Sequence, residues 1–125
     1  MTQPDNIEKN LKSIRQVVDT NVVGCDIETI VEQGKKLASI MGLSAECMAA
    51  AQKHLQIARK KAIVALEGKG IQPSVMLKMA DGEAAIELAT YEYADRLNAS
   101  ITHQLDYYRT VISLHKSELE NSMKA

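Results

Sequence analysis

The chain has no phenylalanine and no tryptophan, and its only aromatic side chains are four tyrosines. A core must therefore be built from Leu, Ile, Val, Met and Ala. Alanine-rich contact lines let helices approach closely, which suits bundles and coiled coils. Strand-like alternation, internal repeats and low-complexity segments are also missing. No apolar run approaches the length of a membrane span. The first six residues lack the basic start and apolar stretch of a signal peptide. No membrane association is expected, and the expected location is the cytoplasm. The two cysteines, Cys25 and Cys47, match no metal or redox spacing and read as packed thiols in a reducing compartment.

What is present is a globular composition of 125 residues, with 46% hydrophobic and 25% charged side chains. That length suits one domain, residues 1–125, with a moderate core. The chain is organised around residues 83–120, a stretch of 38 residues without proline or glycine. Its larger apolar residues are Ile86, Tyr93, Leu97, Ile101, Leu105, Tyr108, Ile112 and Leu119, mostly three or four apart, which makes one stripe of a helix. Unbroken, this helix spans about 57 Å, whereas a compact domain of this size has a radius of gyration of about 14 Å. Polar and β-branched residues at 98–102 are its weakest point. The apolar line runs through them, so we expect an unbroken helix that overhangs and pairs with another copy through Leu97, Ile101, Leu105, Tyr108 and Ile112.

Upstream, a first helix is expected from Asp5 or Asn6, with Ile7, Leu11, Ile14 and Val18 as its apolar edge. Residues 21–24 suit a turn. Asp26 caps a second helix whose buried side is Ile27, Ile30, Val31, Leu37, Ala38 and Met41, with Gly34 placed for close packing. Gly42, Leu43 and Ser44 read as a helix end, an apolar contact and a new N-cap. A third helix then runs to Leu66. Residues 68–73 form a loop, and Ser74 caps a short helical turn that ends at Asp81 and Gly82. The fold class is thus all-α, a bundle of three or four helices with one very long C-terminal helix, in an oligomer.

The formal net charge of −1 hides a strong segregation. Residues 52–78 carry six positive charges against Glu67, and residues 79–106 carry six negative charges against Arg96. Either the basic helix packs beside the acidic one, within the chain or across a dimer, or it exposes a basic patch for nucleic acid. The candidate phosphate contacts are Lys53, Arg59, Lys60 and Lys61, with Arg59 pointing away from the three lysines. No aromatic residue lies in that segment to stack bases, so weak, non-specific binding is the most it predicts.

Residues 37–48 have the pattern of a helix-turn-helix, with Ala38 in the first helix and Gly42 in the turn. The outward positions would include Ala45, Glu46, Ala49 and Ala50, which cannot read bases or hold phosphates. A structural hairpin explains the same residues. His54, His103 and His115 match neither a Glu-x-x-His nor a His-x-x-x-His pattern, so no metal site is assigned. There is no nucleophile–base motif, no cofactor fingerprint and no complete phosphate loop around Gly68 and Gly70. No catalytic residue and no cofactor are assigned. Tyr91 and Tyr107 leave the apolar stripe and, with His103, offer a surface for a protein partner.

Leu105, Arg109, Thr110, Ile112, Ser113, Lys116 and Glu118 form an apolar, Arg-Thr, apolar-Ser, Lys-x-Glu pattern. It resembles the ending of small helical proteins from phages and integrated elements. The resemblance covers the last quarter of the chain and implies an accessory or DNA-metabolism-associated interaction protein, with no functional residue carried over. The expectation is a non-enzymatic oligomerisation or protein-interaction module. A nucleic-acid-associated accessory protein using residues 53–78 is the alternative.

Overall fold

The computed structural model describes residues 3–124, which form four helices and no strand. Helix α1 spans Pro4–Val18, α2 Ile27–Leu66, α3 Pro73–Glu83 and α4 Ala85–Lys124. The all-α bundle with a very long last helix is as expected. The boundaries differ in ways that matter for the surface.

Helix α1 starts one residue earlier than its polar residues suggest. Pro4 occupies the first turn, where its missing N–H is no loss, and Gln3 stands at the cap position without a side-chain bond. Ile7, Leu11, Ile14 and Val18 are its buried edge. Arg15 closes its last turn by bonding Asp19 at 3.1 Å. In the turn that follows, Asn21 Oδ1 accepts from the Val23 N–H at 3.0 Å, and Gly24 takes φ 81°, a left-handed value that favours glycine.

Asp26 caps α2 as expected, accepting from the Thr29 N–H at 3.0 Å. The helix then runs 40 residues without a break, so the expected end at Gly42 is corrected. The reason is the buried line itself: Ile30, Gln33, Leu37, Ser44, Cys47, Ala51 and Leu55, with half-buried Met41 bridging the seven-residue step from Leu37 to Ser44, keep a three-four rhythm through the glycine. Gly42 is exposed, and one exposed glycine costs about 1 kcal/mol. Burying a leucine-sized side chain gives about 1.5–3 kcal/mol, so packing wins over punctuation. With no turn at Gly42, residues 37–48 are neither a helix-turn-helix nor a hairpin. Gly34 is not a close-packing site either, since a methyl group placed there would meet no atom within 4 Å.

Gly68 and Gly70, at φ 79° and 68°, make the loop to α3. Helix α3 begins at Pro73 behind Gln72, not at a Ser74 cap, and continues through Asp81 and Gly82. It ends at the buried Ala84, whose φ −97° and ψ 22° put a one-residue bend between α3 and α4. Helix α4 is unbroken through 98–102, where Thr102 Oγ1 turns its hydroxyl back onto the Asn98 carbonyl at 3.2 Å.

Ser44 bonds Asn98 and Arg59 bonds Asp81, so α2 runs antiparallel to the α3–α4 arm. Each 40-residue helix is about 60 Å long. Helix α1 lies along the seam of this rod, its C-terminal end tied to both long helices. Gln33 of α2 donates to the Val17 carbonyl at 2.7 Å, and Gln104 of α4 donates to the Val18 carbonyl at 2.9 Å.

Candidate functional site

The stripe of α4 is mostly internal. Leu97, Ile101, Leu105 and Tyr108 are buried in one core with Ile7, Leu11 and Ile14 of α1 and Leu37, Cys47 and Ala51 of α2. Ile112 is half-buried at the edge of that core. These five residues were expected between copies. Leu97, Ile101, Leu105 and Tyr108 are instead covered by their own chain, because α1 and α2 supply the apolar partners within reach, and Ile112 is covered in part. A contact between copies has to draw mainly on other residues.

Those other residues lie at the two ends of the rod. Ser44 faces Asn98, so 17 residues back along α2, at Ile27, the level on α4 is about His115. Residues 116–124 therefore project past the start of α2 by about 13 Å. This projection carries Leu119 at 53% and Met123 at 87% exposure, with Leu114 at 59% just before it.

At the opposite end, α1 stops at Pro4 while α2 continues to Leu66. The seam that α1 fills is left open there. A cleft of about 280 Å³ begins beside Pro4 and Ile7 and runs between Ile57 and Ala58 of α2 and Ile86 and Glu87 of α4. It shares Ala58 and Lys61 with a second, wider cleft of about 540 Å³ that reaches Ala65, Leu66 and Lys69. Ile86, expected inside the apolar stripe, is 78% exposed on the rim. Lys61 of α2 and Lys69 of the loop after it stand on one wall, and the facing wall carries Glu83 and Glu87.

The segregated charges meet inside the chain between α2 and α3. Arg59 Nε bonds Asp81 Oδ1 at 2.6 Å between α2 and α3. Arg59 is thereby engaged, while Lys53, Lys60 and Lys61 are exposed. Of the four candidate phosphate contacts, the structure leaves three on open surface.

The remaining titratable groups are scattered. Half-buried His54 lines the cleft beside α1, His103 is exposed, and His115 is half-buried where the projection begins. No group of three or more His, Cys, Asp or Glu among the described residues is placed to hold a metal ion. Both cysteines are free. Cys47 is buried as expected, but Cys25 is exposed. Burial pushes the Cys47 thiol up, offset in part by a hydrogen bond with Asn10. Burial likewise raises the Tyr108 phenol. Tyr93 bonds Arg15 at 3.1 Å, which with Asp19 raises the guanidinium further. Tyr107 is exposed beside His103 around a shallow depression that the loop at Thr20–Asn21 closes. Among the described residues no helix is long and apolar enough to cross a membrane.

No family model matches this chain, and no curated protein or solved structure matches it.

Proposed function

We propose that the chain works without catalysis, as a helical module that associates with copies of itself and offers further surface to a protein partner. The observation that carries this reading is the apolar surface at both ends of the rod. Leu119 and Met123 project past the start of α2, and Ile86 stands on the rim of an open seam at the other end. Buried in an assembly, such side chains give about 25 cal/mol per Å² of apolar area. The resemblance of residues 105–118 to the endings of phage and mobile-element proteins fits an accessory role.

Light scattering at micromolar concentration tests the reading. It should report at least twice the chain mass of 13.7 kDa. A clean monomer across that range overturns it.

A second reading is kept because Lys53, Lys60 and Lys61 are exposed on α2. In it the protein is a nucleic-acid-associated accessory factor that touches phosphates through these lysines, without sequence preference.

A further inference from the structure

The open seam and the projecting tail lie at opposite ends of the rod, and they match in length and polarity. From Ile57 to Leu66 the α2 wall of the seam is about 13 Å long, the same as the projection beyond His115. The floor includes Ala58, Ala62 and Ala65, which leaves room for a helix to approach closely. The seam also continues the seat of a helix already bound, since α1 fills its other half.

We propose that the tail of α4 in one copy inserts into the seam of the next, in line with that copy's α1. The assembly is then head-to-tail. This rests on the self-association proposed above and specifies its geometry.

Sterics fix the direction. The seam is blocked at one end by Pro4 and Ile7 and open at the other, toward the loop that follows Leu66. A straight 40-residue helix laid the other way would drive its own body into α1. The tail therefore enters from the open end with Lys124 leading, parallel to α1.

The charges are compatible with that direction. Around the tail helix, Glu118 lies on one side of the Leu119 and Met123 line, and Lys116, Glu120 and Lys124 lie on the other, at about 100° per residue. With the tail parallel to α1, the right-handed helix turns Glu118 toward the Lys61 and Lys69 wall. The opposite side, net positive, turns toward the Glu83 and Glu87 wall, with the leading Lys124 nearest their level. A contact that joins different patches on the two copies does not close on itself as a twofold dimer does, so mass should grow with concentration beyond a dimer.

Two single variants test this, each with its helix content checked by circular dichroism. Leu119→Glu disables the tail and keeps the seam. Ile86→Glu disables the seam and keeps the tail. Each alone should weaken self-association at least tenfold in sedimentation or light scattering. Mixed in equal amounts they should form a 1:1 pair that does not extend, because only one tail and one seam remain functional. Normal association of Ile86→Glu, or a mixture that stays monomeric, overturns the tail-in-seam geometry while leaving self-association standing. A wild-type chain that is monomeric at every concentration overturns self-association itself, and this geometry with it.

Discussion

The hydroxyl of Ser44 donates to Oδ1 of Asn98 at 3.2 Å, tying the middle of α2 to the middle of α4 across 54 positions of sequence. Ser44 is fully buried, so the bond sets the register of the two long helices inside an otherwise apolar seam. Replacing Ser44 by Ala removes the donor and leaves Asn98 Oδ1 facing a site that water reaches poorly. The expected loss is about 1 kcal/mol. Denaturant unfolding of Ser44→Ala, Asn98→Ala and the double variant should show that the losses do not add. Strict additivity would mean that the pair contributes nothing to register.

Gly42 gives the opposite sign. It lies in the exposed interior of α2, and a methyl group placed there would meet no atom within 4 Å. Gly42→Ala should stabilise the fold by about 0.5–1 kcal/mol. Thermal unfolding followed by circular dichroism reads this directly. A glycine at a helix end with positive φ would give a loss on the same change, so a lower Tm would restore the break that the sequence pattern suggests.

That break shows what was legible and what was not. The apolar period made α4 and its continuity through 98–102 readable, and the buried edge of α1 likewise. A period identifies which face of a helix is covered, not what covers it. Leu97, Ile101, Leu105 and Tyr108 were rightly read as a contact line and wrongly assigned to a second copy, because the docking of α1 is not a local property. In α2 the local signals at Gly42, Leu43 and Ser44 each obeyed a helix-end rule. The competing evidence was non-local: Ser44 is a buried partner of Asn98, not a cap. The open seam depends on where α1 stops relative to α2. Nothing in residues 57–66 by themselves announces it.

The cap of α2 predicts a pH response. The Thr29 hydroxyl and backbone N–H hold the Asp26 carboxyl below its ordinary value. A carboxyl depressed in the folded state contributes stability that is present above the unfolded value, roughly pH 4, and is lost as pH falls through the folded value. Asp26→Asn caps about as well but does not titrate. Wild type should therefore lose more thermal stability than Asp26→Asn between pH 5 and pH 2, as circular dichroism melts at stepped pH would record. Parallel acid curves for the two proteins would rule the cap out as a contributor.

Nucleic-acid binding is the outcome on which the second functional reading stands, and the expected result is weak, salt-sensitive association. Arg59 is held by Asp81, so Lys53, Lys60 and Lys61 are what α2 offers to phosphates from that cluster. About three phosphate contacts would make log K fall with log salt at a slope of about −2.7 on duplex DNA. No residue of that cluster reads base edges with a planar donor pair, so affinity should not depend on sequence. Fluorescence anisotropy on single- and double-stranded DNA at two salt concentrations measures both properties. Charge reversal by Lys60→Glu with Lys61→Glu should abolish whatever binding is seen at low salt, while Arg59→Glu should act mainly by unsettling the α2–α3 contact and lowering Tm. Tight binding near physiological salt that the lysine reversals destroy would place nucleic-acid association ahead of self-assembly as the function of this chain.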